Sequence, residues 1–60
     1  MANKVKVGSL VLILAGEGEG DTATVTRVDK NENIQAKMNR GQKVGQLVLS
    51  RKGNYRVISG

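Results

Sequence analysis

The residues best placed to do chemistry in this chain are cations with no acids among them. Lys37, Arg40, Lys43, Arg51, Lys52 and Arg56 all fall within residues 33–60, a stretch that contains no Asp or Glu. Residues 1–32 hold four basic side chains against five acidic ones (Glu17, Glu19, Asp21, Asp29, Glu32), so the formal +5 belongs to the second half. Grouped ammonium and guanidinium ions recruit polyanions, phosphate above all, and Arg can also stack on a base. The plainer alternative is that these cations only solubilise a small β protein. Tyr55 is the single aromatic. It is either the one stacking platform for a base or a core-edge residue with its hydroxyl at the surface.

Catalytic chemistry finds no comparable grouping. His and Cys are absent, which removes imidazole and thiol catalysis, disulfides and a structural zinc site together. Ser9, Ser50 and Ser59 have no histidine to activate them, and a lysine base would need burial that the sequence does not announce. Gly16-x-Gly18-x-Gly20-x-Thr22 is glycine-rich but lacks the Lys-Ser/Thr of a phosphate loop, and its carboxylates would repel a nucleotide. Its three alternating glycines read instead as a mobile hairpin loop. Asp29-x-Asn31-x-Asn33 opens like a calcium loop but continues with Ile34 where Gly is needed, and Arg40 stands where the bidentate Glu would be. Glu17, Glu19 and Asp21 offer at most loose divalent binding. The expectation is a protein that is not an enzyme, with no metal site and no cofactor.

The elements that must position the cations read as strands. Leu10–Leu14 is a short apolar run between Gly8-Ser9 and Gly16, suited to a strand buried on both faces. Ala23–Val28 is β-branched, and Ile34–Met38 alternates with period two. Gln46–Ser50 and Tyr55–Ser59 flank Arg51-Lys-Gly-Asn54, which reads as a hairpin turn. Asp29–Asn33 is polar turn chemistry, and Asn39–Lys43 a loop. Lys6–Leu12 and Lys43–Leu49 share the pattern KVGxLVL, a glycine turn feeding a buried strand twice over, with flanks too different for a duplication. Five short strands at about ten-residue spacing predict an all-β fold, a small barrel of five antiparallel strands.

Sixty residues and 6.4 kDa make one small domain over 1–60, with 38% apolar residues and a necessarily aliphatic core. The six-residue apolar run at 10–15 is short of a signal-peptide core, and nothing approaches a membrane span. A cytoplasmic protein without a membrane partner is expected.

Residues 8–28 resemble the KOW motif of NusG-type transcription elongation factors and of several large-subunit ribosomal proteins. The likeness is carried by Gly8-Ser-Leu-Val-Leu-Ile-Leu-Ala-Gly16, Glu-Gly-Glu-Gly20 and Asp-Thr-Ala-Thr-Val-Thr-Arg-Val28. In outline these are a strand, an Ala-Gly-x-x-x-Gly loop, and a second strand ending Val-x-x-Val. Ala23 stands where the family usually has glycine, Ser9 where an acid is usual, and the commonly basic loop carries Glu17, Glu19 and Asp21. The resemblance covers about half the chain. It implies an SH3-like five-stranded barrel that binds RNA, DNA or a protein of the transcription and translation machinery.

Two partner classes follow, with a third reading beside them. Nucleic acid, DNA or RNA, would be held through its backbone by Lys37, Arg40, Lys43, Arg51, Lys52 and Arg56, with Tyr55 as the stacking candidate. Neutralising about five phosphates gives a log–log salt slope near −4 to −5 on duplex DNA. Alternatively the domain is an adaptor docking on polymerase, ribosome or nuclease, with an acidic face at 17–21 opposed to a basic one at 37–56. In the third, a homodimer would cover the two-sided apolar run Leu10–Leu14. Such a small basic domain suits a cellular or a phage-encoded factor.

Overall fold

The computed structural model describes residues 4–59. The ends of the single domain expected over 1–60, residues 1–3 and 60, lie outside the described residues. Five antiparallel strands form one sheet: β1 (Leu10–Ile13), β2 (Thr22–Val28), β3 (Ile34–Met38), β4 (Leu47–Ser50) and β5 (Tyr55–Ser59). Their order is β4-β3-β2-β1-β5. The expected all-β architecture of five short antiparallel strands is present, in a barrel-like sheet whose edges are not joined by a ladder. Among the described residues, no helix is long and apolar enough to cross a membrane.

The inner face follows from period-two alternation, which sends every second side chain to the same side. Val11 and Ile13 of β1, Ala23 and Val25 of β2, Ile34, Ala36 and Met38 of β3, and Val48 of β4 make up the core. Val5, Val28, Tyr55 and Val57 pack against it. The core is aliphatic, as a chain without Phe or Trp must build it.

Three expectations are corrected. The first strand is not buried on both faces: Val11 and Ile13 are buried, Leu10 and Leu12 are half-buried, and Leu14 lies beyond the strand and is exposed. The second KVGxLVL segment likewise feeds an edge strand, with Leu47 and Leu49 on the outside. Arg51–Asn54 forms a turn, closed by Asn54 N–H donating to the Arg51 carbonyl at 2.9 Å, but it does not make a hairpin. β4 pairs with β3 and β5 with β1, so the turn joins the two opposite edges of the sheet. In a flat sheet those edges would stand about 19 Å apart. A closed four-residue turn does not span that distance, so the sheet curls until its edges meet at this turn.

The 14–21 loop is hydrogen-bonded rather than open. Ile13 N–H donates to the Asp21 carbonyl (3.0 Å), Gly20 N–H to that of Ile13 (2.9 Å), and Asp21 N–H to that of Gly18 (3.0 Å). Gly18 has φ +84°, and a Cβ there would lie 2.9 Å from Met38 Sδ. The loop therefore caps the core at Met38, and the left-handed φ of Gly18 favours glycine there. Ser9, fully buried, accepts through Oγ from Lys6 N–H at 3.0 Å, which gives this serine a structural place at the entry to β1.

Candidate nucleic-acid interface

One irregularity decides which side chains face outward. The β2–β3 register shifts between Val25 and Arg27: Val25 stands opposite Ala36, Arg27 opposite Gln35, and Val28 opposite Ile34. Thr26 is the extra residue of this bulge, its hydroxyl donating to the Gln35 carbonyl at 3.1 Å. Directly opposed residues share a face, so the bulge turns Val28 toward the core and Arg27 outward beside Gln35. Without it, Arg27 would have entered the core.

The outer face of β2–β3–β4 thus carries two cross-strand rows, Thr24–Lys37–Leu47 and Arg27–Gln35–Leu49. Lys37 and Arg27 are exposed, and Leu47 and Leu49 retain 54% and 76% of their accessible surface. An open groove of about 580 Å³ lies at the end of this face. Arg27, Gln35, Leu49 and Ser50 line it, together with Arg51 of the next turn and Asp29. Among the described residues, Lys37, Arg27 and Arg51 have no carboxylate within ion-pairing distance.

The remaining cations are placed elsewhere. Lys43 Nζ lies 3.6 Å from Glu17 Oε2, and Asp21 is so close to Gly41 that a Cβ there would collide with its carboxylate. The acidic 14–21 loop and the basic 39–46 loop are therefore neighbours, not opposed faces. Arg40, exposed on the same loop, shares that mixed surface. Lys52 Nζ lies 3.3 Å from Glu32 Oε2, and its backbone N–H donates to Asn33 Oδ1 at 3.1 Å. Arg56 is exposed on β5 opposite Leu12, three strands away from Lys37. The structure brings Arg27 and Arg51 to one groove, with Lys37 two positions from Gln35 along the outer face of β3, while Lys43 is held in an ion pair and Arg56 lies on the far edge strand.

Tyr55 is half-buried against the core, and its hydroxyl donates to the Glu32 carbonyl at 2.6 Å. Burial pushes its pKa above the ordinary value, with the charges of Glu32 and Asp29 adding to the shift. Asp29 is held below the ordinary carboxylate value, chiefly by the Asn33 backbone N–H; desolvation opposes this, and the Asn31 backbone N–H and the Asn33 side chain then lower it further. Its Oδ1 accepts both amides, at 2.9 and 2.8 Å, so it serves as the organiser of the β2–β3 turn. Among the described residues, no three His, Cys, Asp or Glu side chains gather as metal ligands.

Arg27 was hidden from sequence reasoning because it lies in the acidic half. Its signal was the break in alternation between Val25 and Val28, three residues apart where period two allows two or four. A scan against protein-family models finds no match to this chain, and no curated protein matches it either.

Proposed function

We propose that this chain is a non-catalytic nucleic-acid-binding domain that holds backbone phosphates on the outer face of β2–β3–β4 and the adjoining 51–54 turn. The observation that carries the reading is the set of exposed cations there with no carboxylate partner, Lys37, Arg27 and Arg51. Lys43 and Lys52 sit in exposed ion pairs worth about 0–1 kcal/mol each, which an incoming phosphate displaces at little cost. Arg40 and Arg56 contribute attraction from the flanks. Tyr55 positions the 51–54 turn through its bond to Glu32 and is not a stacking platform in this reading. The resemblance of residues 8–28 to the KOW motif supports the same class of partner and points to a cytoplasmic role beside transcription or translation.

The test is fluorescence anisotropy with labelled duplex DNA and single-stranded RNA across a salt series. Binding should weaken with a log–log slope near −4 to −5 on duplex DNA, and Lys37→Gln should reduce that slope by about 1. No binding at low salt would end the reading.

A second reading has its own observation. β4 is an edge strand, and Leu47 and Leu49 stand exposed beside it. A free edge flanked by leucines favours docking of an extended segment of a polymerase, ribosomal or nuclease protein by strand addition. That contact would survive high salt, where phosphate binding does not.

A further inference from the structure

We infer that the groove at the end of the β2–β3–β4 face receives one unpaired nucleotide of a single strand, its phosphate taken by Arg27 and Arg51 and its base laid on Leu49 beside Gln35. This rests on the nucleic-acid reading above and narrows it from backbone binding in general to unpaired strands.

Three observations converge on the groove. Its volume of about 580 Å³ lies in the range of pockets that hold one small ligand, about 300–1,000 Å³. Two arginines, Arg27 and Arg51, line it, and neither has a carboxylate partner among the described residues. Leu49 is 76% exposed although it sits in a strand, so its side chain offers an aliphatic surface that the fold does not cover.

The chemistry selects among ligands. A free phosphate would use the arginines and leave Leu49 uncovered. A duplex presents phosphates and groove edges but keeps its base faces stacked, so it has nothing to lay on an aliphatic platform. An unpaired nucleotide supplies both parts: an anion for the guanidinium forks, which can also stack on a base, and a π face for Leu49. Gln35 adds an amide that can donate to and accept from a base edge. Its Oε1 lies 3.5 Å from the Thr26 hydroxyl, whose proton goes to the nearer Gln35 carbonyl. Asp29, the one carboxylate lining the groove among the described residues, is bound into its own turn by Asn31 and Asn33. Its negative charge disfavours phosphate at that end and directs it toward the arginines.

The experiment compares an eight-nucleotide single strand, as DNA and as RNA, with a hairpin duplex by anisotropy at about 50 mM and about 200 mM salt. Wild type is set beside Arg27→Gln, Leu49→Thr and Lys6→Gln, the last removing an equal charge outside the groove. Circular dichroism and melting first establish that each variant folds. Leu49 is exposed, so its replacement leaves the core intact. Single strands should bind at least about tenfold tighter than duplex, and Arg27→Gln and Leu49→Thr should each cost about tenfold on single strands, a difference of about 1.4 kcal/mol. Lys6→Gln should change both ligands alike and by little. Equal binding of duplex and single strand, unaffected by Leu49→Thr, would overturn the groove assignment while the phosphate-binding face stands. Absence of binding to either at about 50 mM would remove both. Binding of an acidic extended peptide at the same groove, with no oligonucleotide bound, would assign it to a protein segment instead.

Discussion

Tyr55 gives the clearest case of a residue whose role is set by one bond. Its hydroxyl, 2.6 Å from the Glu32 carbonyl, ties the start of β5 to the β2–β3 turn across the seam where the curled sheet comes together. Removing the hydroxyl in Tyr55→Phe should cost about 1 kcal/mol, which in a domain this small lowers Tm by about 4–8 °C. The phenol is charged only after losing its proton, and its folded pKa is raised above 10.0. Folding therefore favours the neutral form. The stabilisation is complete below about pH 10 and is lost as the pH rises through the folded value. Urea melts between pH 8 and 11 should show an alkaline decline in wild type that Tyr55→Phe lacks; matching declines would place its cause elsewhere.

At the scale of elements, the 14–21 loop and the β2 bulge set what each strand presents. Gly18 occupies a left-handed conformation against Met38 Sδ. Gly18→Ala combines about 1–2 kcal/mol of backbone strain with a displacement of the Met38 terminus, so a loss of about 2–3 kcal/mol is expected. The measure is the urea midpoint, which should fall while the m-value holds. An unchanged midpoint would mean that the loop yields and does not cap the core. The bulge at Thr26 works at the same scale. By adding one residue to β2, it converts a strand that would bury Arg27 into one that buries Val28 and turns the guanidinium outward.

For the whole molecule, charge is the governing quantity. The net +5 attracts polyanions from every side, but the carboxylates of the 14–21 loop stand beside the basic 39–46 loop and hold Lys43 in an ion pair. Replacing Glu17, Glu19 and Asp21 with their amides should strengthen nucleic-acid binding several-fold at low salt, with the gain shrinking at physiological salt. Titration of the triple variant beside wild type checks this. Weaker binding would identify the acidic loop as itself a contact surface, suited to a basic protein.

The sequence by itself determined the strands and the aliphatic character of the core, but not which faces of β1 and β4 it buries. Period-two alternation in Ile34–Met38, β-branched residues in β2, and glycine or Asx chemistry at each turn are local properties, and local physics places five strands at nearly the observed positions. The absence of Phe and Trp likewise required an aliphatic interior. Charge by halves was also legible, and it pointed to cations as the chemistry of the surface. Only the tertiary structure decided how those cations group. Pairing across the sheet set Arg27 beside Gln35 and Leu49, the curl of the sheet put Arg51 at the same groove, and loop packing joined Lys43 to Glu17. Arg51–Asn54 looked like a hairpin because its turn chemistry is that of one. Which strands a turn joins depends on the partners each strand finds, and β4 and β5 found theirs on opposite edges. Register and edge choice are non-local: they minimise exposure for the whole sheet at once, and no window of the sequence contains that sum.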